Sequence, residues 1–231
     1  MSVGSDSVPA SESGPETPNG REDGCRERLI DVTLELCARQ GYDATTADQI
    51  ATAAGVTPSE FARYFANTEA VVLSIVDTMA HATAAGLANV KTDVDPEHAL
   101  LSAGIAAMTA VIEDRGAVTL ERLLAMGKIV NATRNLQRKV SEVRKRVITP
   151  ALADRLGVDP RDRRLKQALT MWSAVMASAY IAQEDMPDDY DPRNDSALIA
   201  RMAANLSQSF GDVTGKDPNQ PEEPAGQTTS P

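Results

Sequence analysis

Aromatic residues make up only 3% of this 231-residue sequence, which holds two cysteines, two histidines and one tryptophan. Cys25 and Cys37 are too few for a disulfide framework, and with only His81 and His98 beside them no spacing would hold zinc. Such cysteine use predicts a reduced, cytoplasmic setting. Basic charge is also short: 23 Lys and Arg stand against 33 Asp and Glu, a formal −10. A field of that sign repels nucleic acid at long range and excludes a general polyanion binder, while leaving room for a local site. The longest uncharged stretch, 167–183, is broken by Gln, Thr and Ser and at 17 residues falls short of a comfortable membrane span. The opening MSVGSDSVPASESGPETPNG has neither the charged nor the apolar region of a signal peptide. His81 and His98 have no Ser, Cys or paired carboxylate placed to act with them, and no glycine loop would cradle phosphate, so no enzyme activity is expected.

Apolar residues reach 42% of the chain, enough for a substantial core. Residues 1–25 and 212–231 are rich in Ser, Gly, Pro and Glu with little to bury, and read as disordered tails. Between them alternating strand patterns are lacking, whereas apolar spacings of three and four recur throughout, so the folded part is expected to be all-α with about nine helices. A first helix is expected from Arg26 to Gln40, stopped by Gly41. A long one should run from Asn67 to Val90, and later ones at 96–114, 117–130, 134–155, 162–184 and 195–210.

Two capping boxes lie between the first helix and the long one. In Thr46-Ala-Asp-Gln49 the threonine hydroxyl can accept from the amide three residues on, while Gln49 reaches back. In Thr57-Pro58-Ser59-Glu60 the proline sits at the first helical position, where a missing N–H costs nothing. Gly55-Val56 separates the two short helices. Helix, short helix, glycine turn, short helix is the order of a helix-turn-helix, whose second short helix enters the major groove.

The residues themselves narrow this further. RLIDVTLELCARQGYDATTADQIATAAGVTPSEFARYFANTEAVV resembles the N-terminal domain of the tetracycline-repressor (TetR) family, with matches at Gly41-Tyr42, Thr45-Thr46, Ile50-Ala51, Ala54-Gly55-Val56, Phe61, Tyr64-Phe65 and Glu69-Ala70. The resemblance implies a homodimeric transcriptional regulator that binds palindromic operator DNA and responds to a small-molecule effector. It implies a DNA-binding domain over 26–70 and a helical effector-binding and dimerisation domain over 71–211, joined by the helix that starts at Asn67. Carried onto this sequence, the family's DNA contacts fall on Thr46 and Tyr64 at phosphates and on Ser59, Ala62 and Arg63 at base edges, with Thr57, Pro58 and Thr68 at the helix starts. Thr68 stands where the family commonly has lysine, Glu60 where a small polar residue is common, and Ala62 where an aromatic is frequent.

These departures bear on charge. From Arg26 to Ala80 there are four basic and eight acidic residues, so few groups can release counterions from phosphate. Binding should be weak, strongly sequence-selective or absent, and the alternative to a repressor is an effector-binding or interaction module that kept the fold and lost its grip on DNA. Glu60 either faces DNA or turns back to cap its own helix.

The rest of the chain matches no motif. Residues 134–166 hold eleven basic groups and four acidic ones. With Leu136, Val140, Val143 and Val147 at helical spacing, the bases form either a solvated face or a seat for the phosphates of an acyl-CoA-like effector. Met108, Leu123, Leu124, Met126, Trp172, Met176 and Tyr180 are candidates for an effector pocket, since thioethers adapt to varied ligands and Trp or Tyr adds a polar edge; core packing accounts for them equally well. Apolar stripes at Leu165, Leu169, Trp172, Val175, Met176 and Ala179, and at Leu198, Ile199, Met202, Leu206 and Phe210, suit a four-helix dimer interface. A monomer would bury them internally instead.

Overall fold

The computed structural model describes residues 18–181 and 198–221. Among them are nine helices and no strand: α1 (Pro18–Gln40), α2 (Ala47–Ala54), α3 (Pro58–Tyr64), α4 (Thr68–Leu87), α5 (Pro96–Ile112), α6 (Leu120–Ala132), α7 (Arg134–Leu156), α8 (Arg163–Ile181) and α9 (Leu198–Thr214). The end of the expected helix 162–184 beyond 181, the start of the expected helix 195–210 before 198, and the side chains of Tyr180, Leu198 and Ile199 lie outside the described residues, as do 1–17 and 222–231.

Helices α1 to α3 close over Leu29, Ile50, Phe61 and Phe65. The long α4 leaves this head and packs between α5 and α7. Residues 58–87 have the length and hydropathy of a membrane span, but they are two helices, and Val71, Val72, Ile75 and Val76 bury their side chains within the protein. A second core gathers α5, α7, α8 and α9 around Leu100, Leu152, Leu165, Trp172 and Phe210.

Three expectations are corrected. Helix α1 begins at Pro18, eight residues before Arg26. Its extra turns are mostly polar and so carry no apolar period, yet Cys25 packs on the core and Glu22 reaches Arg63 at 3.1 Å. At the other end α9 runs past 211 to Thr214, and Lys216 and Asp217 beyond it bind α5, so 212–221 is not a tail. Finally, the apolar stripes of α8 and α9 are spent within one protomer. Leu165, Leu169, Trp172 and Val175 are buried, as are Met202, Leu206 and Phe210, because α8 and α9 pack on each other and on α5.

Candidate functional site: a DNA-reading head and an apolar cavity

Both capping boxes form as their spacing predicts. Thr46 Oγ1 accepts from the Gln49 amide at 3.3 Å while Gln49 Oε1 accepts from the Thr46 amide at 3.0 Å. Gly55 ends α2 at φ 69°, a left-handed conformation that glycine adopts without strain, and this turns the chain into α3. Thr57 Oγ1 accepts from the Glu60 amide at 3.1 Å. Glu60 Oε2 in turn accepts from the Thr57 amide at 2.8 Å and its hydroxyl at 2.9 Å. These bonds, the backbone one foremost, hold the Glu60 carboxyl below the ordinary glutamate range. Glu60 is thus turned onto its own helix, which is the capping reading of its two.

Thr46, Thr57, Pro58, Ser59, Ala62 and Arg63 are exposed on one end of the head and Tyr64 is half-buried beside them. Burial first, then the neighbouring Cys25 thiol, pushes the Tyr64 phenol up, so it keeps the proton it would donate to a phosphate. Thr68 is a correction. It is buried, and its hydroxyl donates to the Thr45 carbonyl at 3.0 Å, closing the head onto α4 instead of facing DNA.

The basic cluster of α7 is largely engaged within the fold. Lys139 pairs with Glu69 at 2.6 Å and Arg146 with Asp77 at 2.7 Å, both on α4. Arg155 donates to carbonyls in the connection that follows α4. Spacing alone could not show this, because each partner lies more than sixty residues away in the chain.

A cavity with about 730 Å³ of empty space, open solvent included, lies among α4, α5, α6, α7, α8 and α9. Its lining is mostly apolar with a few polar groups, as in small-molecule sites. Of the candidates, Met108, Leu123, Trp172 and Met176 line it. Met126 is wholly buried in the packed core and Leu124 is half-buried, and neither is among the lining residues. Helix α4 supplies Val76, Met79, Ala80 and Thr83, none of which the sequence reading named as a pocket candidate. The sequence reading also missed Gly104. A Cβ there would come within 2.5 Å of Trp172 Cη2 and 2.8 Å of Cζ2, so the glycine seats the indole against α5. Gly104→Ala is therefore expected to cost about 1–3 kcal/mol by overpacking. It should also shift the emission of Trp172; unchanged emission and melting temperature would refute the close fit.

A capped pair of short helices joined by a left-handed glycine, with hydroxyls and one arginine exposed on the second, makes this head a helix-turn-helix DNA-binding domain. Residues 29–75 match the family described as bacterial regulatory proteins, tetR family. The chain is 39% identical over 83 residues to the HTH-type transcriptional regulator TcmR of Streptomyces glaucescens, a match spanning 35% of this chain and 37% of that protein. Among solved structures it resembles a TetR-family regulator of Streptomyces coelicolor A3 (TM-score 0.49, 16% identity, 86% of this chain and 100% of that one). It also resembles SmeT, the repressor of the Stenotrophomonas maltophilia multidrug efflux pump SmeDEF (TM-score 0.49, 19% identity, 87% and 97%).

Proposed function

We propose that the protein is a dimeric, cytoplasmic repressor whose operator binding is released by a small hydrophobic or acyl-type effector. The observation that carries this reading is α4. One helix follows the recognition helix in the chain, is tied to the turn before α2 by the Thr68 bond to Thr45, and then forms a wall of the cavity with Val76, Met79, Ala80 and Thr83. A molecule filling the cavity presses on the element that carries the head. Two heads would read half-sites about 34 Å apart along the duplex. With the α8 and α9 stripes used internally, pairing falls to the outer faces of these helices, where Ala174, Ala177, Ala200 and Ala204 are exposed.

Selection of genomic fragments by the purified protein at low salt tests the reading. An enriched palindrome is expected, with Arg63→Ala weakening it by about 1–3 kcal/mol through loss of a bidentate base contact and Tyr64→Phe by less. A second reading, an effector-binding module without operator binding, draws on the acidic head and on the engagement of Arg63 by Glu22. Absence of an enriched palindrome, or enrichment indifferent to Arg63→Ala, would favour it.

Glu22 also yields a prediction of opposite sign. Its carboxylate occupies the guanidinium that would read guanine. Both side chains are exposed, so the pair is weak, and Glu22→Gln is expected to tighten operator binding about two- to fivefold at low salt. Equal affinity in a titration of both proteins would show that the ion pair does not compete with DNA.

A further inference from the structure

Leu123 of α6 lines the apolar cavity, and the residue before it reaches the other way, to α1 in the head. Arg122 takes Asp31 in a two-pronged grip, Nε donating to Oδ1 at 2.7 Å and a terminal nitrogen to Oδ2 at 2.8 Å. It also donates to the Glu27 carboxylate and, at 3.4 Å, to the Glu27 carbonyl. Neighbouring positions on a helix stand about 100° apart, so one turn of α6 meets the cavity and the head at once. The Arg122 side chain is 15% exposed, which shelters its end of the grip from the water that weakens surface pairs. The contacts continue toward the DNA-reading end. Glu27 accepts from Arg26 at 3.2 Å, and the Arg26 guanidinium lies over the Phe65 ring, 5.4 Å from its centroid. Phe65 is the C-cap of α3, the recognition helix. A thread of residues, Leu123, Arg122, Glu27, Arg26 and Phe65, thus runs from the cavity wall to the recognition helix without passing through α4.

We infer that Arg122 is the residue through which an occupied cavity loosens the head: a molecule that displaces Leu123 shifts α6 and draws the guanidinium off Asp31 and Glu27. This rests on the effector reading above and deepens it, adding a route of regulation beside α4. The grip responds to small movements. A two-pronged guanidinium–carboxylate pair needs both oxygens in line with its donors, and a shift of about 1 Å carries contacts of this length beyond hydrogen-bonding range. Release also takes a positive charge away from an acidic head, so lost packing and added repulsion of phosphate act in the same direction.

The experiment uses the full-length protein with Nile red as a neutral occupant, its binding followed by energy transfer from Trp172 and the amide hydrogen exchange of α1 followed by mass spectrometry. Nile red is expected to speed exchange around Glu27 and Asp31 about two- to fivefold, the worth of a partly exposed ion-pair grip that no longer holds α1 against local opening. Arg122→Met should show the faster exchange without dye and no further change with it, and Arg122→Lys should fall between the two. Glu27→Gln combined with Asp31→Asn cuts the same contact from the side of α1 and remains decisive if Arg122→Met does not fold. Dye binding without faster exchange in α1, or a response to dye that survives in Arg122→Met or in the double variant, would overturn the role of Arg122 while leaving the cavity as an effector site. Failure of Nile red to receive energy from Trp172 would overturn the effector-site reading itself and this inference with it.

Discussion

Asp95→Ala is expected to cost about 3–5 kcal/mol at neutral pH, as breaking a buried ion pair does, and to lower the melting temperature by about 6–20 °C for a chain of this size. The carboxylate joins three groups at once. It caps α5, accepting from the His98 amide at 3.4 Å, and meets His98 Nδ1 at 2.6 Å. It accepts from Lys216 Nζ at 3.1 Å, so the segment after α9 is drawn onto α5. On the far side of the imidazole, Nε2 donates to the Asp217 carbonyl at 2.7 Å, and Phe210 packs against the ring at 4.8 Å between centroids. The side chains of His98 and Asp95 are only 3% and 10% exposed, so water cannot replace a lost partner.

The pH dependence of this contribution has a definite sign. Burial alone would raise the Asp95 carboxyl, but the Lys216 hydrogen bond and the charges of His98 and Lys216 outweigh it and hold the group below the ordinary aspartate range. A depressed folded-state value means stability that is present above the unfolded value of about 3.9 and lost as pH falls through the folded one. Melting curves of both proteins from pH 3 to pH 7 should therefore be far apart at neutrality and converge in acid. A separation that stays constant down to pH 3 would place the stabilising role in packing and not in the charge.

The head was legible in the sequence because its chemistry is local: Thr46 with Gln49, Thr57 with Glu60, and Gly55 between them act within a few residues. The buried cluster and the cavity were not, because they depend on distance. Nothing near His98 announces that Asp217 will meet it, and nothing in the α8 stripe says whether Trp172 faces a partner subunit or its own Gly104. An apolar period fixes which face of a helix is buried and leaves open what covers it. Thr68 shows the same limit at short range. The resemblance carried a DNA-binding position onto it, but its hydroxyl is taken by the backbone of Thr45.

Arg155→Ala is expected to cost about 3 kcal/mol, the loss of several charge-assisted hydrogen bonds at a partly buried site, seen as a fall of about 6–12 °C in melting temperature. From the end of α7 its guanidinium donates to the carbonyls of Leu87 at 3.4 Å, Val90 at 2.6 Å and Val94 at 3.2 Å, and also to that of Lys91. These are the carbonyls that the last turn of α4 and the connection to α5 leave without helical partners. The buried cluster at Asp95 begins one residue later, so the far end of α4 is anchored from two sides. On the function proposed above, that anchor sets how α4 moves. The helix has 20 residues, about 30 Å at 1.5 Å per residue, and the cavity touches it from Val76 to Thr83, about 6 to 17 Å from the fixed end, with Ala80 about 10 Å from it. Pivoting there, a 1 Å push at Ala80 becomes nearly 3 Å at Thr68, where the recognition helix is attached, a ratio set by the helical rise. Arg155→Ala should thus weaken effector control as well as stability: operator affinity with and without effector would differ less than in the unaltered protein. Arg155→Lys, one compact cation that cannot span four carbonyls, should recover only part of either effect. An unchanged melting temperature would remove the anchor, and lost stability with full effector control would locate the pivot elsewhere.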